Sequence, residues 1–159
     1  MPAKIQYTSL EQLAGLPAEM FLLHRKPMLL LDALVATNDD TTVCEFQIRS
    51  DWPFVTPDEG VPAYVGVEIM GQCVAVHAGA RARIEGFGPP LGFLLGTRHF
   101  VAKVDRFEID GDYRVTCKEL FRDTAGMGSY DCCITLDGTS VAEARLAVLE
   151  KERGERLSA

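Results

Sequence analysis

Basic residues are in short supply in this chain. Lys and Arg number 16 against 23 Asp and Glu, for a formal net charge of −7. Neutralising nucleic-acid phosphates needs a surplus of cations, so nucleic acid is not an expected partner. Long apolar runs are missing too. The richest stretch, residues 61–80, is interrupted by Glu68, Gln72 and His77, and reads as a buried helix rather than a membrane span. Residues 1–16 hold no apolar secretion core, so no signal peptide is expected. The five cysteines, Cys44, Cys73, Cys117, Cys132 and Cys133, include no Cys-x-x-Cys pair. No His/Cys spacing supplies a tetrahedral zinc set, so no metal is expected. Free, buried thiols in a reducing, cytoplasmic setting are the reading.

What is present is an ordinary globular composition, 47% hydrophobic and 25% charged, over 159 residues. That suits one domain spanning residues 1–159. Ser9-Leu10-Glu11-Gln12 has the form of a capping box and predicts a short helix through Leu16. Residues 28–35 are rich in Leu and predict a buried strand, and residues 44–48 predict a second, with Asn38-Asp39-Asp40 as the turn between them. Residues 50–62, with three prolines, predict a stiff loop. Residues 64–84 are apolar or small almost all round, which predicts a buried helix.

Four strands are predicted after it, at 92–104, 112–121, 127–136 and 140–150, with Asp110-Gly111 and Asp137-Gly138 as hairpin turns. The charged tail, 151–159, is expected to fray. One helix stays buried only if a curved sheet wraps it. The predicted class is therefore α+β in the hot-dog arrangement, an antiparallel sheet around one long central helix. An open sheet edge would then pair with a second copy.

Glu68 is the strongest candidate for chemistry, a carboxylate among apolar neighbours near the start of the buried helix. The helix N-terminus favours its charge, while burial pushes its pKa upward, as suits a general acid or base. Gln72 lies four residues on, on the same face, placed to hold the carboxylate by a hydrogen bond. His24 sits in a loop ahead of a buried strand and is either a site residue or a structural hydrogen-bonding histidine. His77, nine residues beyond Glu68, faces the opposite side of a straight helix and reads as packing or surface. His99 is either near the cleft or in solvent. Gly96 interrupts a strand and marks either a close ligand approach or a bulge. Two basic clusters, Arg25–Lys26 and Arg81–Arg83, read as solvated faces or as contacts to an acidic or phosphate-bearing partner.

Two segments carry a family resemblance. His24-Arg25-Lys26-Pro27-Met28-Leu29-Leu30-Leu31-Asp32 resembles the His-Arg-x-Pro-(aromatic or Met)-Leu-Leu-x-Asp segment of bacterial 3-hydroxyacyl-acyl-carrier-protein dehydratases. Val61-Pro62-Ala63-Tyr64-Val65-Gly66-Val67-Glu68-Ile69-Met70-Gly71-Gln72 resembles the start of their central helix. Leu94-Leu95-Gly96 falls where that family has its substrate-facing glycine strand. One place departs: the family's Gly-His-Phe-Pro histidine would fall near Phe54, in Asp51-Trp52-Pro53-Phe54-Val55, where no histidine stands. The sequence is thus more similar to the dehydratase-type proteins of aryl-polyene pathways, which share the Leu95-Gly96-Thr97-Arg98 pattern.

The resemblance implies conversion of a 3-hydroxyacyl thioester to a trans-2-enoyl thioester, in fatty-acid- or aryl-polyene-type biosynthesis. Glu68 would act on the hydroxyl and His24 would be the C2 base. Gln72, Leu95, Gly96, Phe54 and Tyr64 would bind substrate, Gly96 through its N–H. No cofactor is implied beyond the phosphopantetheine of an acyl carrier protein or CoA. A homodimer is expected, or a heterodimer with a paralogous hot-dog subunit. Two other functions remain open: a hot-dog acyl thioesterase, and a non-catalytic partner of an active dehydratase.

Overall fold

No residue of α1, Gly66–Ile84, is fully exposed, and Ile69, Met70, Gln72, Cys73, Val74, Val76, His77 and Ala80 are buried. This computed structural model describes residues 5–158. The helix is covered by an antiparallel sheet ordered β1-β2-β6-β7-β8-β4, and all six of its strands touch the helix. They are β1 (Ala33–Thr37), β2 (Thr41–Phe46), β4 (Leu91–Ala102), β6 (Tyr113–Arg122), β7 (Met127–Leu136) and β8 (Thr139–Glu152). A separate ribbon pairs β3 (Val61–Pro62) with β5 (Arg106–Phe107). Among the described residues three 3-10 turns, Leu10–Leu13, Ala18–Met20 and Ala63–Val65, complete the set, the last running into α1. This is the expected α+β hot-dog arrangement.

Alternation along the strands decides what faces the helix. Tyr113, Val115 and Cys117 on β6, Tyr130, Cys132 and Ile134 on β7, and Ala142, Ala144 and Leu146 on β8 are all buried. Cys44, Cys73, Cys117 and Cys132 lie inside and Cys133 is half-buried; all five are free thiols. The Cys73 thiol reaches the carbonyls of Thr42 and Val115 at 3.6 Å each.

Several elements differ from expectation, each for a local reason. The first helix is only the turn Leu10–Leu13, where Gln12 Oε1 accepts from the N–H groups of Thr8 (2.8 Å) and Ser9 (3.3 Å). Gly15, at φ 84°, then turns the chain so that its N–H donates to the Leu34 carbonyl at 2.7 Å, and the helix cannot continue. The strand expected at 28–35 begins at Ala33, because the Leu30 N–H bonds a helix side chain instead of a neighbouring strand. Asp137 and Gly138, at φ 49° and 83°, do close the β7–β8 hairpin. Asp110-Gly111 closes none, since β5 pairs with β3. The tail docks rather than frays. The Leu157 N–H donates to Gly86 O at 2.8 Å, and the guanidiniums of Arg153 and Arg156 lie 3.9 and 4.9 Å from the centre of the Phe87 ring. Ala159 lies outside the described residues.

Candidate active site

The loop ahead of β1 is shaped by its own arginine. Arg25 donates to the carbonyls of Leu22 (2.9 Å) and His24 (2.7 Å), and its carbonyl accepts from the Met28 and Leu29 N–H groups at 2.9 and 3.2 Å. This compact turn aims His24 at α1, where its Nε2 stands 3.4 Å from Glu68 Oε1. Both side chains are half-buried. The pair therefore forms within one chain, without a contribution from a second subunit.

Gln72, one turn further along α1, is the connector. Its Nε2 donates to Glu68 Oε1 at 3.0 Å and to the Met28 carbonyl at 2.6 Å, and its Oε1 accepts from the Leu30 N–H at 2.9 Å. The amide is only 1% exposed. It reaches the carboxylate from behind and does not line the cavity in front of it. One buried side chain thus sets both the path of the 28–30 segment and the direction of the carboxylate.

The charge on Glu68 differs from expectation. His24 beside it, with help from the Gln72 amide, holds its carboxyl below the usual carboxylate range, although burial pushes the other way. Hydrogen bonding to the charged form outweighs desolvation here because the carboxylate is only half removed from water. Near neutral pH Glu68 is an anion. Among the described residues His24 Nδ1 is buried without a hydrogen-bond partner.

In front of the pair opens a cavity of about 270 Å³ between α1 and the β4–β8 end of the sheet. Leu23, His24 and Glu68 line one end of it. Gly71, Val74, Ala75 and Ala78 form its helix wall, at i, i+3, i+4 and i+7, the spacing of one face. Phe93, Leu94, Val148 and Leu149 form the sheet wall, and Arg122, Gly126, Tyr130 and Glu150 also line it. Of the sequence-level candidates, then, His24, Glu68 and Leu94 line the cavity and Gln72 backs it. Leu95, Phe54 and Tyr64 lie outside it and are 52%, 52% and 68% exposed. Gly96 also lies outside, at a break in register on the edge strand β4. Arg122 and Tyr130 were not legible as site residues, because nothing in local sequence tells which end of a strand reaches the cavity.

The other two histidines are elsewhere. His77 is buried, with Nδ1 2.8 Å from Thr42 Oγ1 and Nε2 3.5 Å from Glu119 Oε2. Burial and the nearby Arg81 push its pKa down to about 4, so it is neutral. His99 is exposed at φ 56° on the third register irregularity of β4, over the outer sheet face rather than the cavity. Of the basic clusters, Arg81 pairs with Glu119 at 3.3 Å, Arg83 lies over the Tyr7 ring, and Arg25 pairs with Glu19 at 3.3 Å.

A wrapped helix whose carboxylate meets a loop histidine in the wall of an apolar cavity defines a hot-dog protein with a candidate acid–base site. The ApeP-like family model, described as ApeP dehydratase, matches residues 16–158, and the chain belongs to that family. A solved structure titled the dehydratase heterocomplex ApeI:P from Xenorhabdus doucetiae matches with a TM-score of 0.80 and 26% identity, covering 86% of this chain and 92% of that one. An HP0420 homologue from Helicobacter felis matches at 0.62 and 10% identity, over 92% and 93% of the two chains. A hypothetical thioesterase with coenzyme A from Streptococcus pneumoniae matches at 0.56 and 11%, over 79% and 87%. The last two share the fold alone. No curated protein matches the sequence.

Proposed function

We propose that this chain dehydrates 3-hydroxyacyl thioesters to trans-2-enoyl thioesters, in aryl-polyene- or fatty-acid-type biosynthesis, with His24 and Glu68 as the catalytic residues. The observation that carries this reading is the His24–Glu68 pair, 3.4 Å apart in the lining of an apolar cavity, in a chain of the ApeP-like dehydratase family. The lowered pKa of Glu68 divides the roles. An anion there cannot serve as the resting acid, so it accepts the substrate hydroxyl's hydrogen bond and stabilises the imidazolium that forms at His24. His24 takes the C2 proton and returns it to the departing hydroxyl, which leaves as water. The Gly96 N–H polarises the thioester carbonyl. The acyl chain enters the cavity, and a phosphopantetheine arm on an acyl carrier protein or CoA remains outside with Phe54 and Tyr64. Among the described residues no helix is long and apolar enough to cross a membrane.

A second subunit completes this reading. β4 ends the sheet, and Phe93, Leu94, Leu95 and Val101 are exposed along it, a combination suited to strand pairing with another hot-dog chain. That the similar Xenorhabdus doucetiae structure is a heterocomplex favours a paralogous subunit as that partner, beside a homodimer. It also motivates a second reading, in which this chain supports an active paralogue without turnover of its own.

The test is product mass after incubation with a 3-hydroxyacyl thioester, on carrier protein and on CoA, for wild type, Glu68→Ala and His24→Ala. Loss of water by wild type and not by the variants supports the dehydratase. Release of free thiol means a thioesterase. No change, with activity appearing only on addition of a paralogous hot-dog chain and unaffected by the two substitutions, selects the supporting-subunit reading.

A further inference from the structure

The cavity is apolar along its length and ionic at its far end. It follows α1 from Glu68 to Ala78, about 15 Å at roughly 1.5 Å per residue. At that end its lining includes Arg122 and Glu150, whose side chains are 3.4 Å apart and about one-third exposed. Tyr130 walls the same end, with its hydroxyl donating to Glu119 at 3.1 Å.

Two features of the strands put these charges there. On β8, Ala142, Ala144, Leu146 and Val148 face the helix, and alternation brings Glu150 next on the same face. On β6 the inward series is Tyr113, Val115, Cys117 and Glu119, and strict alternation would make Phe121 next. A register shift between Glu119 and Phe121 interrupts it. After the shift Phe121 pairs with Ser129 and is 57% exposed, while Arg122 pairs with Gly128 and lines the cavity. The bulge replaces an aromatic ring by a guanidinium at the end of an otherwise apolar channel.

We infer that this end is a specificity subsite for the tail of the acyl chain, and that it selects a neutral, hydrogen-bonding terminus such as a hydroxyl over a bare methyl. The inference rests on the proposed acyl-thioester substrate. A methyl end pushed against Arg122 and Glu150 would strip water from both ions and return no hydrogen bond. A hydroxyl both accepts from the guanidinium and donates to the carboxylate. The formal charges at this end, Arg81 and Arg122 against Glu119 and Glu150, balance, so a neutral tail fits better than an anionic or cationic one.

The test uses non-reacting thioether analogues of the enoyl substrate on pantetheine, stepped in chain length, each length made with an ω-methyl and with an ω-hydroxyl end. Affinities are measured calorimetrically on the full chain. Short members are expected to favour the methyl end or show no difference. Once the tail reaches Arg122, the hydroxyl member should bind about tenfold tighter than its methyl twin, the worth of a hydrogen bond to a charged group. Arg122→Leu with Glu150→Leu should abolish that crossover, and the charge exchange Arg122→Glu with Glu150→Arg should keep it; thermal unfolding of both verifies that they fold. A methyl preference at every length, a hydroxyl preference already present in the shortest members, or no binding of any member overturns the subsite. Water loss from 3-hydroxyacyl thioesters is read separately by product mass, so failure here is distinguishable from failure of the dehydratase reading.

Discussion

Gln72 holds Glu68 by a 3.0 Å hydrogen bond while its other contacts grip the backbone at Met28 and Leu30. The Glu68 carboxylate and the segment that follows His24 are therefore set by one buried amide. Replacing it by Leu keeps the volume and removes three hydrogen bonds, leaving the Leu30 N–H and Met28 carbonyl buried without partners. The expected cost is about 2–4 kcal/mol in urea unfolding. Gln72→Glu retains an acceptor for Leu30 but sets a second carboxylate against Glu68 and the Met28 carbonyl. It should raise the Glu68 pKa, readable by carbon NMR of the carboxyl.

Glu68 itself makes a pH prediction. Its folded pKa lies below its unfolded value because of His24 first and Gln72 second. A depressed carboxylate contributes stability above its unfolded pKa, about 4.3, and loses it as pH falls through the folded value. In His24→Ala the Glu68 pKa should rise, and the part of the acid destabilisation below about pH 4.3 that belongs to this pair should disappear. An unchanged Glu68 titration in that variant would contradict the assignment of His24 as its main partner.

His77 acts over a different window. Its pKa, pushed down to about 4 by burial, lies below the ordinary value of about 6.5, so the unfolded chain binds the proton first. Stability should fall as pH drops from about 6.5 to about 4. Burial and Arg81 prevail here over Glu119, whose carboxylate faces the ring and favours its charge. His77→Gln should flatten the stability curve over that interval while lowering stability at neutral pH, since the contact to Thr42 is disturbed.

Gly79 tests how the His24 loop is seated. A Cβ there would collide with the Phe21 carbonyl, which lies against the helix just before Leu22, Leu23 and His24. Because the obstacle is backbone, relief requires moving that segment off α1. Gly79→Ala should destabilise by about 3 kcal/mol or more and displace His24 from Glu68. Thermal unfolding and the Glu68 titration read the two effects separately.

The fold was legible because its signals are redundant. A helix apolar on every side demands a wrapping sheet, and the Asp137-Gly138 turn and the alternation of β8 fix one hairpin of it. Glu68 was legible as a lone carboxylate in that helix, and His24 through the segment around it. The direction of the Glu68 shift was not, because it depends on a neighbour brought in from another part of the chain. The start of β1 at Ala33 was hidden for the same reason, since a helix side chain takes the Leu30 N–H. Arg122 was unreadable because a single bulge reverses which of two adjacent residues, Phe121 or Arg122, faces inward. Periodicity assigns faces only while the register holds.

The most direct test of the account is a double-mutant cycle on water loss from a 3-hydroxyacyl thioester, comparing wild type, His24→Ala, Glu68→Ala and the double variant. If the two residues act as one unit, each single substitution should lower the rate by about 10²–10⁴, and the double variant should be no slower than the worse single one. Full activity in either single variant, or losses that simply multiply in the double, would contradict a shared site built on the His24–Glu68 pair.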